Sequence, residues 1–259
     1  MTTETLPPVQ AQPRARLGNA LASEWTKIRS VQSTVWTLAA MFALMLGIGL
    51  LADAYDFGRT DIGDYLSDGL GGFIVGQIPV VTLGVLVVTS EYGTGMIRTT
   101  LTAYPRRASL LTAKALVFFG VALVLGLLAT GLQLLAAMVL LSGRGTDPTG
   151  GQALLAVVGG ALYLALIGLF ALAVGTLLRH SAGAIAVMLG LLLLPFILAL
   201  FMSSGPHEAL LTYSPINMSA SIYGDGDGSL GGWQLLCVLA AATAAVLAAA
   251  YAALRRRDV

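Results

Sequence analysis

Residues 110–141, LLTAKALVFFGVALVLGLLATGLQLLAAMVLL, run for 32 positions with one charged side chain, Lys114 near the start. A helix needs about 20 apolar residues to cross a bilayer. The run is therefore longer than one crossing requires and predicts a tilted helix or one that projects beyond the lipid. The rest of the chain is built alike. Of its 259 residues, 57% are hydrophobic and 10% charged, whereas a soluble domain carries about 25% charged residues. Apolar runs at about 34–52, 70–89, 110–141, 152–178, 182–203 and 233–253 predict six spans. The expected fold class is an all-α integral membrane protein with one domain over 19–259, preceded by a polar, proline-bearing tail, 1–18, expected to be disordered.

The basic residues assign the sides. Arg14, Arg16, Lys27 and Arg29 precede the first span, and Arg98, Arg106, Arg107 and Lys114 follow the second. Arg179 follows the fourth, and Arg255, Arg256 and Arg257 close the chain. The alternate connections hold only Arg59 and Arg144, against Asp53, Asp56, Asp61, Asp64, Asp68, Asp147, Glu208, Asp225 and Asp227. Lys and Arg accumulate on the cytoplasmic side, so both termini are expected there. Residues 1–20 lack the apolar core of a secretory signal.

Several function classes find no support. A net charge of +1 gives no basic field for nucleic acid, and the single Cys237 excludes an intramolecular disulfide framework. The span centres lack the ionisable residues that serve as relays in ion-coupled transporters. A P-loop needs a lysine after glycine, and the two lysines, Lys27 and Lys114, follow Thr26 and Ala113. The G-x-G-x-x-G at Gly226, Gly228 and Gly231 has no preceding strand, and the overlapping DGDGSLGG lacks the glycine and glutamate of a calcium loop. His180 and His207 are expected on opposite sides of the membrane. No catalytic, cofactor or metal site is expected in this chain, and any energy for active transport must enter from outside its spans.

Two amphipathic stretches remain. LGNALASEWTKIRSVQS, residues 17–33, sets Leu17, Leu21, Trp25 and Ile28 on one helical face beside Lys27 and Arg29, which predicts an interfacial helix before the first span. TSEYGTGMIRTTLTAYPRR, residues 89–107, places Gly93 and Gly95 at the exit of the second span and Thr94 as an N-cap, with Pro105 as terminator. Between them Ile97, Leu101 and Tyr104 form an apolar stripe, with Arg98 on another face. Such a short helix suits a groove on a partner protein. An ordinary loop obeying the positive-inside bias accounts for Arg106 and Arg107 but not for the other features together.

SEYGTGMIRTTLTAYPRR resembles the cytoplasmic loop of type-2 ABC exporter permeases, bacterial members included. SEWTKIRS before the first span, six spans and YSPINMSASIYG (213–224) agree with that family. The resemblance implies a coupling helix over 94–103 that docks on a separate ATPase. Its surface would comprise Glu91 at the membrane end, Thr94, Met96, Ile97, Arg98, Leu101, Tyr104, Arg106 and Arg107. It further implies an interfacial connecting helix over 22–33, with Trp25, Lys27, Ile28 and Arg29, and an external re-entrant segment over 204–219, with Pro206, Tyr213, Pro215 and Asn217.

The same resemblance implies two copies of a cytoplasmic ATPase carrying ATP and Mg, and a second permease chain, identical or related. Membrane lipid is the remaining expected partner, and the Ala, Leu, Gly and Arg bias, with Lys nearly absent, suggests a GC-rich bacterial source and hence a bacterial plasma membrane as the expected location. Tyr104 before Pro105 and the GTG of 93–95 depart from the commoner family pattern, which leaves the register at the ATPase surface open.

Gln77 and Gln133 could line a substrate route or hydrogen-bond between helices. An apolar route would suit a lipid, a drug-like molecule or an amphipathic peptide. Gly72 and Gly76 form a G-x-x-x-G for close helix contact, within the chain or across a dimer. A non-transporting scaffold or sensor subunit and a secondary transporter are the alternative classes.

Overall fold

The computed structural model describes residues 17–56, 72–95, 107–140, 148–202 and 231–256, and the isolated positions 207, 210, 214 and 222. Seven helices carry the described chain: α1 (Leu17–Ser30), α2 (Gln32–Asp56), α3 (Gly72–Gly93), α4 (Arg107–Leu140), α5 (Gly150–Leu178), α6 (Ser181–Leu200) and α7 (Gly232–Arg256). Helices α3 to α7 are each long and apolar enough to cross a membrane, and α1 with α2, bent by 68° between them, makes a sixth candidate. The protein is an all-α, multi-pass membrane protein.

Several expectations lie outside the described residues. These are the tail to residue 16, the proposed coupling positions Met96, Ile97, Arg98, Leu101, Tyr104 and Arg106, the re-entrant positions Pro206, Tyr213, Pro215 and Asn217, and the glycine motif up to residue 230.

Helix α5 is the centre of the bundle, packed against α3, α4, α6 and α7, while α2 packs on α3. Because lipid tails are as apolar as the side chains, apolar burial alone does not draw these helices together, and close van der Waals fit must do so. Glycine provides it. A Cβ at Gly84 of α3 would collide with the Gly168 carbonyl of α5, and a Cβ at Gly168 would lie 2.8 Å from both Val80 and Phe118. Gly72 meets the α2 backbone at Met45 and Gly49, and Gly76 meets the Met45 side chain. The G-x-x-x-G therefore serves a contact inside the chain. Around these seams Met41, Met45, Phe73, Phe118, Tyr163, Ile167 and Leu172 are fully buried.

Local signals set the helix ends. Thr149 and Gln152 form a capping box at the start of α5, in which Gln152 Oε1 accepts from the Thr149 N–H at 2.9 Å. Arg179 adopts a left-handed φ of 55° and ends α5, and His180 Nδ1 then caps α6 by accepting from the Gly183 N–H at 3.0 Å. At the far end of α6, His207 Nδ1 donates to the Ala199 carbonyl at 2.7 Å. The two histidines thus sit at opposite ends of a 20-residue helix, about 30 Å apart at 1.5 Å per residue. They share no site.

Candidate functional site

The α1 end of the bundle gathers the ends of five helices. Lys114 of α4 reaches Glu24 of α1 and Glu91 of α3. The Arg179 guanidinium after α5 lies over the Tyr92 ring at 5.4 Å. Thr112 of α4 and Tyr251 of α7 share a hydrogen bond at 2.7 Å. The basic residues of the described helices, from Lys27 to Arg256, all belong to this end.

At its centre lies a buried charge cluster. Lys114 Nζ donates to Glu24 Oε2 at 2.8 Å, to Glu91 Oε1 at 2.7 Å and to the Val87 carbonyl at 3.4 Å. Lys27 Nζ donates to Glu24 Oε1 and Glu91 Oε1, both at 2.8 Å. The residues Glu24, Glu91 and Lys114 are 3%, 6% and 4% exposed, so the charges are taken out of water and must be neutralised by one another. The two carboxylates and two ammonium groups balance. Burial alone would lower the Lys27 pKa, but hydrogen bonds and attraction from Glu24 and Glu91 outweigh it and hold the ammonium above the ordinary lysine value. Both lysines of the chain lie in this cluster, while among the described residues Arg29, Arg179 and Arg255 lie outside it. A compact ammonium with three donors fits between two carboxylates more closely than a planar guanidinium does.

The cluster changes how α1 is read. The interfacial helix expected over 22–33 starts at Leu17 and ends at Ser30. Its buried face is Ala20 and Glu24, with Lys27 and Ile28 partly covered, whereas Leu17, Trp25 and Arg29 stay exposed. Charge rather than the apolar stripe fastens α1 to the bundle, which leaves Trp25 and Leu17 free to meet lipid. Lys114 also moves from the connection after the second span to the eighth residue of α4.

Glu91 lies inside α3, two residues before the helix ends at Gly93. The N–H groups that Thr94 is expected to cap belong to residues outside the described chain. The Thr94 hydroxyl donates back to the Ser90 carbonyl at 2.8 Å and closes α3, after which Gly95, with φ of 72°, turns the chain away. Residue 96 begins directly beyond this joint, and Arg107 opens α4 on the return. Segment 96–106 therefore leaves from and returns to helices that the cluster bolts together.

The two glutamines lie in the interior of the bundle. Gln77 Oε1 accepts from the Tyr163 hydroxyl at 3.0 Å, joining α3 to α5. Gln133 of α4 is fully buried and occupies the space beside Gly49 of α2.

Sequence reasoning missed Glu24 and the cluster as a whole. The one signal in the sequence was the scarcity of lysine: a chain otherwise supplied with arginine has two lysines, and both belong to the cluster.

Residues 20–194 match the profile of the ABC-2 family transporter proteins, about two thirds of the chain, from α1 into α6. The chain belongs to that family, and it is thus a membrane permease component of an ABC transporter, a kind of subunit that works with an ABC ATPase. A search of the curated proteins returned no match.

Proposed function

We propose that this chain is the permease subunit of an ATP-driven exporter of a hydrophobic or amphipathic substrate, without catalytic residues of its own. The observation that carries the coupling role is the charge cluster at the exit of α3. Glu91 and Lys114 flank segment 96–106 at its two ends, and Glu24 and Lys27 tie α1 to both.

A force delivered to the segment by an ATPase would reach α1, α3 and α4 as one body, because separating them would expose buried, unpaired charge. In this reading the α1 end faces the cytoplasm of a bacterial plasma membrane, two permease chains pair, and two ATPase subunits carrying ATP and Mg bind below. Residues 94–103 form the docking surface, with Ile97 and Leu101 as its apolar anchors, and the 204–219 segment closes the route from outside.

Pull-down from native membranes in mild detergent tests the reading. The chain should recover a stoichiometric ABC ATPase, and Ile97→Asp with Leu101→Asp should abolish that recovery while leaving membrane insertion intact. Undiminished ATPase recovery by the double variant would overturn the docking assignment. Recovery of a cytoplasmic partner that is not an ATPase would favour the scaffold reading instead.

A further inference from the structure

A cavity of about 370 Å³ opens beside the charge cluster, between α1, α2, α3 and α4. Its walls are of two kinds. Ile28, Val31, Leu83, Leu86 and Val87 make an apolar side, while Glu24, Lys27, Glu91 and Lys114 make a charged end.

The hydrogen-bond ledger of that charged end is incomplete in two places. Glu91 Oε1 receives both lysines, yet Glu91 Oε2 is buried and has no hydrogen-bond partner. Lys27 spends two of its three N–H donors on Glu24 and Glu91, and its side chain is partly exposed. Lys114, in contrast, uses all three. The cluster thus offers one unfilled anionic acceptor and one unfilled cationic donor, beside an apolar wall, in a site whose net charge is zero.

We propose that this cavity binds a zwitterionic phospholipid bearing a primary ammonium, of the phosphatidylethanolamine type. On binding, the Glu91 carboxylate turns so that Oε2, closed to solvent in the unliganded chain, accepts from the ammonium, the phosphate accepts from the third N–H of Lys27, and the start of an acyl chain lies along Leu83, Leu86 and Val87. The site's neutrality disfavours a lipid with net charge, which would leave one charge in the site uncompensated. A quaternary choline headgroup carries no N–H and cannot satisfy the orphaned carboxylate oxygen. The amphipathic helix α1, with Trp25 exposed beside the cluster, places the cavity at headgroup depth. The bound lipid would act as a wedge in the joint between α1 and the spans.

The proposal needs the membrane placement of the chain but not its ATPase partner, so failure of the pull-down above leaves it intact. The test is native mass spectrometry of the full chain after exchange into equimolar phosphatidylethanolamine, phosphatidylcholine and phosphatidylglycerol of identical acyl chains. One headgroup hydrogen bond to a charged acceptor predicts about tenfold or greater retention of the ethanolamine lipid over the choline lipid.

Ser90→Phe, at an exposed position lining the cavity, should erase that preference by filling the space without touching the four charges. Its melting midpoint in lipid-free detergent, equal to that of the unaltered chain, would show that the fold persists. Equal retention of the ethanolamine and choline lipids, a preference for the glycerol lipid, or a preference surviving in a folded Ser90→Phe variant would each overturn the assignment.

Discussion

Lys114 and Lys27 look alike in sequence and differ in consequence. Lys114 is 4% exposed and binds both glutamates. Its removal by Lys114→Ala leaves two buried carboxylates sharing one ammonium, a loss of about 3–5 kcal/mol by analogy with other broken buried pairs. The Lys27 side chain is 32% exposed, so solvent supports what it leaves behind, and Lys27→Ala should cost about 1 kcal/mol or less.

Thermal unfolding followed in detergent should therefore rank the chain above Lys27→Ala and both well above Lys114→Ala. Removing one charge of each sign, Glu91→Gln with Lys114→Gln, leaves Glu24 and Lys27 as a neutral pair. The double variant should lose less than the sum of the two singles. Additive losses would mean that the four residues do not act as a unit.

At the scale of the element, the α3–α5 seam depends on what Gly84 lacks. The Gly168 carbonyl occupies the place a Cβ would take, and backbone cannot rotate away as a side chain can. Gly84→Ala should cost about 1–3 kcal/mol as an overpacking change, and Gly84→Leu should prevent recovery of a monodisperse peak in size-exclusion chromatography. Gly120 of α4 is the control, because nothing lies within 4 Å of a Cβ built there. Gly120→Ala should leave the melting midpoint unchanged or raise it, since alanine is the better helix former by about 1 kcal/mol.

Elements were the most legible part of this chain. Long apolar runs define helices because no other structure satisfies the backbone in lipid, and α4, α5, α6 and α7 lie close to where hydropathy puts them. Helix α3 runs four residues past its expected end at residue 89 because Glu91 is not a terminator here: Lys114 and Lys27 neutralise it inside the helix. The site was harder to read for the same reason. A charge counted as loop material and one assigned to an interfacial helix meet only through tertiary packing, Lys27 and Glu91 being separated by 64 positions. The amphipathic stripe Leu17, Leu21, Trp25 and Ile28 correctly signalled a helix but not the face that it buries, which Glu24 selects.

For the molecule as a whole, one asymmetry decides the functional reading. The described basic residues gather at the end where α1 lies against α4 and Arg179 against Tyr92, while α2 runs toward Asp53 and Asp56 at the other. Charge asymmetry of this kind sets orientation during insertion, so the α1 end is expected in the cytoplasm. Because segment 96–106 starts at that end, orientation and ATPase docking stand or fall together.

Site-directed labelling checks both at once. Cys237→Ser provides a cysteine-free background, into which single cysteines are placed at Gln12, Thr100, Asp61 and Asp227. A membrane-impermeant maleimide applied to intact cells should label residues 61 and 227 and spare 12 and 100 until the membrane is broken. The converse pattern would put residues 96–106 outside, where no ATP-driven subunit could reach them. Ile97 and Leu101 would then need another partner, and the exporter reading would fall even though the fold, the cluster and the family would remain.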